Sequence, residues 1–502
     1  MTQNTLVSHV FDHVRRNPSK TAIVSADSAL TYADLGGRIC AAAELLRDAG
    51  VVPGDRVMLA AEAQPSFVIG YLAAHLLGAI AVPIDPKMGP EKLRVVMDQL
   101  TPRVLCVPST MRLPEATDCS VVSTAELAGS ANSGAVEASS FPDAMQPADV
   151  LLTSGTTGNP KGVVLTHENI LAAATSINQF IGNGAEDREA HVLPLSHSFG
   201  LGRLRCQMVA GGTLILTKGL MFPKQLFEMM ERWEATGLAF VPAGWALLTR
   251  LTGDKLAEFS DRLRYIEIGS SPMPSSEKER LLLLFPTTKI CMHYGLSEAS
   301  RSTFIEFHQS REKLDSIGQP APNVQIRIAD EAGRPCPPDE PGAILIRGRQ
   351  VTTRYWSEPT ESILVDGWLR SGDSGYQDRD GYIFLSGRDD DAIDVGGRKV
   401  YPAEIEAVLK DLPAVRDCAC VGIDDPENVS GKQIKAFLVP ESGYSPPPER
   451  QELVRLLRES LELYKIPSVF EWIDQIPKGT SGKVMRHLLK DAPTADPPRE
   501  AG

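Results

Sequence analysis

Between Thr153 and Gly162 the chain reads Thr-Ser-Gly-Thr-Thr-Gly-Asn-Pro-Lys-Gly. Glycines let a backbone turn so that successive N–H groups point inward and cradle a phosphate chain. The hydroxyls of Thr153, Ser154, Thr156 and Thr157 add hydrogen bonds around Gly155 and Gly158, and Lys161 adds a positive charge. No Gly-x4-Gly-Lys-Ser/Thr spacing is present, so this is not a Walker A loop. Short apolar runs on either side, Val150–Leu152 and Val163–Leu165, read as strands. A Ser/Thr/Gly turn alone is ordinary. This one is denser than a turn requires, and it is followed by further segments rich in chemistry-bearing side chains.

Those segments are Pro194-Leu195-Ser196-His197, Gly269-Ser270-Ser271-Pro272, His293-Tyr294-Gly295-Leu296-Ser297-Glu298, Ser371-Gly372-Asp373 and Pro477 to Arg486 around Lys483. Together with Thr153–Gly162 they resemble the motifs of the adenylate-forming superfamily. That superfamily comprises acyl- and aryl-CoA ligases, peptide-synthetase adenylation domains and beetle luciferases. The resemblance runs from about Leu30 to about Arg486.

It implies ATP-dependent activation of a carboxylic acid to acyl-AMP, with release of pyrophosphate, then transfer to a thiol. A carboxylate is a poor acyl donor because its leaving group would be oxide, whereas the mixed anhydride with AMP is open to thiol attack. The protein's task is then positioning and electrostatics. The resemblance places His197 beside the acyl pocket, and Gly269, Ser270 and Ser271 against adenine. Tyr294 would stack on the base, with Gly295 after it, and Ser297 would bind phosphate in place of the usual threonine. Glu298 is a hard oxygen ligand suited to Mg2+. Asp373 would accept both ribose hydroxyls, and Arg388 would contact ribose or phosphate. Gly396 and Gly397 would line a pantetheine tunnel, and Lys483 would bridge carboxylate and α-phosphate. Asp390 matches the hinge position, while Asp394 stands where a lysine is common.

The elements that must carry these residues follow from pattern. Leu6, Val7, Val10, Phe11 and Val14 recur at helical spacing, and Thr31 is an N-cap for a helix running to Gly50. From Arg56 to Val107 strands alternate with helices, which implies parallel sheets covered on both faces. The Ala/Ser/Glu-rich stretch from Ser120 to Pro147 reads as a weakly ordered connection. Short strands between Gly/Pro/Asp turns from Ile317 to Ser386 suggest a small, more antiparallel β subdomain. Beyond Gly387 a compact α+β pattern includes a helix over Pro448–Leu461. The expected fold is α/β: a large domain of parallel-rich sheets, helices and a β subdomain over 1–387, and a small mobile α+β domain over 388–490. Residues 491–502 form a frayed Pro/Ala/charged tail.

The chain of 502 residues carries a net charge of -13, which argues against nucleic acid and anionic membranes as partners. No apolar run reaches the about 18 residues of a membrane span. Eight cysteines without C-x-x-C pairing, and no secretory signal pattern, suggest a cytoplasmic enzyme. The reading is a free-standing acyl-/aryl-CoA ligase using ATP, Mg2+ and CoA. The phosphopantetheine of an acyl carrier protein is the alternative acceptor. A non-catalytic nucleotide-binding relative is disfavoured by Glu298, Asp373, Arg388 and Lys483, and a luciferase-like oxidase is a further alternative. Phe240, Pro242, Trp245 and Leu248 suggest a pocket wall suited to an aryl or medium acyl acid. Arg203, Arg205 or Arg301 offers a partner for a second carboxylate.

Overall fold

The computed structural model describes residues 4–115, 117–129, 140–154, 160–356, 363–395, 398–425, 432–444, 446–478 and 484–490. By compactness the chain forms two units. One is Met1–Ile326 with Leu345–Arg370, and the other is Arg327–Ile344 with Ser371–Gly502.

Two large sheets organise the first unit. A nine-stranded sheet runs in the order Gln319–Pro320, Thr303–Glu306, Lys289–Tyr294, Tyr265–Ile268, Gly237–Phe240, Arg188–His191, Thr213–Leu216, Thr21–Val24, Ala29–Thr31. From Lys289–Tyr294 to Thr21–Val24 every pairing is parallel, and both edges are antiparallel. A seven-stranded sheet runs Arg354–Tyr355, Pro160–Thr166, Pro147–Ser154, Ile80–Ile84, Arg56–Ala60, Val104–Val107, Ser120–Ser123. Its inner strands, such as Ile80–Ile84 and Val104–Val107, are buried along their whole length. Continuous apolar runs are what a sheet covered on both faces requires.

Helices open where the side chains dictate. Thr5, Thr31 and Thr166 each accept a hydrogen bond from the backbone N–H of the third helical residue, and each donates its own N–H to that residue's side chain. Each such box satisfies two otherwise orphaned donors. The helix Ser198–Ala210 starts directly after His197 and ends at Gly211, which takes φ +73°.

The stretch expected to be weakly ordered contains two elements. Ser120–Ser123 pairs parallel with Val104–Val107 and extends the sheet edge, and the helix Thr124–Gly129 buries Leu127. Edge pairing and one apolar anchor suffice where local composition carries little signal. Residues 130–139 of that stretch lie outside the described residues.

In the second unit residues 373–377 pair antiparallel with Ile383–Arg388, bringing Asp373 opposite Arg388. Val415–Asp424, Lys432–Pro440 and Val469–Trp472 form a three-stranded sheet. The helices Pro402–Lys410 and Arg450–Leu457 pack Ile405, Leu409, Leu453 and Leu457 against it. The latter helix is shorter than expected, because its N-cap is Glu449 and it stops at Arg458. Glu406 ties the small core together, accepting from the Cys420 N–H at 2.8 Å and from Arg486 at 2.6 Å.

Candidate active site

The phosphate-loop segment is carried by an antiparallel hairpin. Pro147–Ser154 pairs with Pro160–Thr166, with Thr153 opposite Lys161, and the Thr153 hydroxyl donates to the Lys161 carbonyl at 3.3 Å. Gly155, Thr156, Thr157 and Gly158 lie outside the described residues, as does the Ser154 side chain. Lys161 leaves the hairpin with its Nζ 5.2 Å from the centre of the Tyr355 ring. At the other end of that tyrosine, the hydroxyl donates to Glu298 Oε1 at 2.8 Å. Two residues singled out by sequence, Lys161 and Glu298, therefore share one aromatic side chain that sequence reasoning did not select.

Glu298 sits in the loop that follows the strand Lys289–Tyr294. Tyr294, Gly295 and Ser297 precede it, all half-buried. A Cβ on Gly295 would stand 2.5 Å from the Arg301 nitrogen, so the loop's close return requires glycine there. The Thr352 N–H donates to the Glu298 carbonyl at 2.8 Å, and Ser302 N–H to the Tyr294 carbonyl at 2.8 Å.

Gly269 follows the strand Tyr265–Ile268. A Cβ there would meet the His293 ring at 2.1 Å, so the glycine is demanded by packing against His293. Ser270 is exposed and takes φ +76°, a left-handed conformation costly for a residue with a Cβ; Ser271 is half-buried.

His197 is solvent-accessible, yet enough protein surrounds it to act on its charge. Desolvation lowers its pKa, opposed by the Asp85 carboxylate, so the imidazole is neutral at pH 7. Behind it, Arg301 donates to the carbonyls of Ser198 at 3.2 Å and Phe199 at 3.0 Å, and its guanidinium lies 4.7 Å above the Phe199 ring.

The three arginines considered for a second substrate carboxylate are committed within the protein. Arg203 Nε donates to Glu189 at 2.9 Å and its Nη1 to Glu267 at 3.0 Å. Arg301 Nε donates to Glu267 at 3.1 Å. Arg205 pairs with Asp149 and donates to the Tyr71 hydroxyl at 3.0 Å. All three are buried. Burial alone would raise the Glu267 pKa, but Arg301 and Arg203 outweigh it and hold the carboxyl well below its usual range. Of the expected pocket wall, Phe240, Trp245 and Leu248 are core residues, and the Trp245 indole N–H donates to Glu277 at 2.6 Å.

In the second unit, buried Asp373 has Oδ1 3.8 Å from Arg388 Nε, and its N–H donates to the Ser371 hydroxyl at 3.1 Å. Gly372 between them takes φ +76°. Asp389–Asp391 form a short 3-10 turn. Gly396, Gly397 and Lys483 lie outside the described residues.

Parallel sheets carrying loops at their strand ends, a Gly-rich hairpin, and a lysine and a carboxylate that meet on one tyrosine suit a nucleotide-binding α/β enzyme. Residues 10–356 match the AMP-binding enzyme family, and residues 404–483 match the AMP-binding enzyme C-terminal domain. A feruloyl-CoA synthase from Amycolatopsis is 32% identical over 94% of this chain and 96% of its own length. A fatty acid–[acyl-carrier-protein] ligase from Streptomyces coeruleorubidus is 30% identical over 97% and 96%. The o-succinylbenzoate CoA synthetase of Bacillus subtilis, at 28% identity, has been solved with its acyl-adenylate intermediate (TM-score 0.85, covering 98% of this chain and 99% of that one). It has also been solved with ATP and a magnesium ion (TM-score 0.84, covering 96% and 99%).

The chain belongs to the AMP-binding enzyme family. It is an AMP-forming ligase of the acyl-CoA synthetase type, which activates a carboxylic acid as its adenylate and transfers the acyl group to a thiol. Among the described residues no helix is long and apolar enough to cross a membrane.

Proposed function

We propose that the enzyme activates an aryl or medium-chain carboxylic acid, and that the cluster Lys161–Tyr355–Glu298 receives the triphosphate of ATP. The observation that carries the triphosphate site is the convergence of a hairpin lysine and a half-buried carboxylate on one tyrosine, at 5.2 Å and 2.8 Å. Lys161 would neutralise phosphate charge so that a substrate carboxylate anion can approach. Tyr294, at the strand end, would stack on adenine, with Gly269, Ser270 and Ser271 beside it. Ser297 would donate to a phosphate oxygen. Neutral His197 would sit beside the reacting carboxylate without pairing with it as a cation. In the second unit Asp373, beside Arg388, would accept the ribose hydroxyls.

The residues fit a magnesium ion. Among the described residues no group of three or more His, Cys, Asp or Glu side chains could cage a metal. Glu298 offers a single hard-oxygen carboxylate, and Mg2+ accepts one or two carboxylates plus phosphate oxygens and waters. Glu298 would hold it, and the ion would supply further neutralisation of the triphosphate. Lys483 would bridge carboxylate and α-phosphate during adenylation only. Residues 388–490 would act as a catalytic lid hinged at Asp390, with Gly396 and Gly397 lining the path of the thiol. The eight cysteines are all free, which supports a reducing, cytoplasmic setting.

The test is pyrophosphate release over a panel of aryl, short, medium and long-chain acids, followed by addition of CoA or holo-carrier protein and mass spectrometry. Aryl or medium acids should release pyrophosphate and give an acyl-CoA mass. Release with short or long acids alone would overturn the substrate class. A thioester on the carrier alone would make the enzyme an acyl-carrier ligase, the activity named for the Streptomyces relative. Replacing Asp390 by proline fixes φ and should slow one half-reaction selectively; equal effects on both would place the hinge elsewhere.

A further inference from the structure

We infer that Tyr355 is the positioning residue of this site: its hydroxyl sets the Glu298 carboxylate for a phosphate-bound divalent cation, and its ring seats Lys161. The inference rests on the reading of Glu298 and Lys161 given above.

Lysine and glutamate side chains are long, flexible and of opposite charge. Left to themselves, they collapse into an ion pair that cancels the charges a triphosphate and its cation require. Tyr355 offers each a neutral partner. The face of its ring attracts the ammonium through the ring quadrupole, at 5.2 Å. Its hydroxyl takes one lone pair of Glu298 Oε1 at 2.8 Å, and an ionised carboxylate has about four such sites. The remaining oxygen valence can be turned toward a cation. Carboxylates that ligate metals are oriented by hydrogen bonds of this kind.

The backbone holds the tyrosine in that place from both directions. Tyr355 pairs antiparallel with Val163, on the strand that leaves the phosphate hairpin. Its neighbour Trp356 donates its N–H to the Gly162 carbonyl at 2.8 Å, next to Lys161. On the other side Thr352 N–H donates to the Glu298 carbonyl at 2.8 Å, and Val351 bridges Ala299. The segment Val351–Trp356 therefore grips the glutamate's loop and the lysine's strand at once. Its tyrosine projects between them as the shared side-chain contact.

The experiment uses the full-length enzyme with ATP and Mg2+. Tyr355→Phe keeps the ring and removes the donor. The Mg2+ concentration for half-maximal adenylation should rise about 10-fold or more, within the about 10–100-fold typical of such outer-shell losses. KM for ATP at saturating Mg2+ and thioester formation from supplied acyl-AMP should hold. Tyr355→Leu removes the ring as well and should also raise KM for ATP. Calorimetric titration of ATP at low and saturating Mg2+ gives the same comparison without turnover: Tyr355→Phe should weaken ATP binding only at low Mg2+. In a Glu298→Gln background, Tyr355→Phe should change the Mg2+ requirement less than about twofold, because coupled residues are non-additive. If Glu298→Gln raises the Mg2+ requirement and Tyr355→Phe does not, the inference falls and the reading of Glu298 stands. If neither variant raises it, the reading of Glu298 falls and takes the inference with it. Equal loss of both half-reactions in Tyr355→Phe, or loss of its fold, would make the residue structural and overturn the inference.

Discussion

Two polar clusters lie a few residues apart in the first unit and are built to opposite specifications. Around Glu267, two guanidiniums face two carboxylates: Arg203 and Arg301 against Glu189 and Glu267, all buried. Tyr265 donates to Glu189 at 2.6 Å, and Gln207 donates to the same carboxylate at 3.1 Å, filling its remaining acceptor sites. Around Tyr355, Lys161 and Glu298 are half-buried and each meets a neutral aromatic partner. Buried charges are tolerated when paired and hydrogen-bonded, so the first cluster is closed to ligands. The second keeps its charges near solvent, where a triphosphate can use them.

The comparison is broken most severely by Arg203→Met. It strands the buried Glu189 carboxylate and takes one of two guanidiniums from Glu267, and should cost about 3–5 kcal/mol of stability. Urea denaturation of the first unit measures it, and a loss below about 1 kcal/mol would mean the network is not rigid. Next comes Lys483→Ala, at the residue proposed to bridge carboxylate and α-phosphate. Adenylation should fall by about 10²–10³-fold, the typical loss of a single transition-state donor, while thioester formation from supplied acyl-AMP is spared. Equal loss of both half-reactions would remove the proposed bridging role.

Acid sharpens the contrast between buried and accessible histidines. Burial lowers His167 to about 3 and His191 to about 4, from 6.5. Neither ring nitrogen of His167 has a hydrogen-bond partner among the described residues. Both imidazoles stay neutral in the fold, whereas the unfolded chain takes up protons below pH 6.5. Stability should therefore fall between pH 6.5 and 4.5 by about 1.4 kcal/mol per pH unit for each histidine. The depressed carboxyls Glu267 and Asp149 add their loss only below their ordinary values of 4.5 and 3.8. His167→Phe should remove one histidine's share of the slope; an unaltered slope would assign the acid sensitivity elsewhere. Smallest is Gly269→Ala, which pushes a methyl into the His293 ring and should cost about 1–3 kcal/mol, read from thermal unfolding. A neutral result would mean the ring moves aside freely.

The layered α/β architecture was legible because buried parallel strands are continuous apolar runs and because capping threonines announce helices. The hairpin strands and the Thr31 cap follow such local rules. Arg203, Arg205 and Arg301 were misread for a reason equally physical. Their partners Glu267 and Asp149 are 64, 56 and 34 positions away, and no local pattern reports a buried ion pair. Tyr355 was missed likewise, since Glu298 is 57 positions distant and the strand Arg354–Tyr355 has only two residues. Glycines were easier to find than to explain: Gly269 was selected for a ligand's approach, and the structure gives it a neighbour in His293.

The edge strand Arg354–Tyr355 also sets an order of events during biosynthesis. Its anchor, the Thr352 hydroxyl on the Val164 carbonyl, joins positions 188 residues apart. At about 5–20 residues per second, a ribosome needs roughly 10–40 s to span that interval. Throughout it, the strand Pro160–Thr166 has an unclaimed edge, and Glu298 emerges before the tyrosine that orients it. A nascent chain released between Pro320 and Arg354 would hold the strands of the phosphate hairpin and most of both sheets, yet present an open strand to any neighbour. Translation pauses inside this window would therefore favour aggregation over a truncated but active ligase.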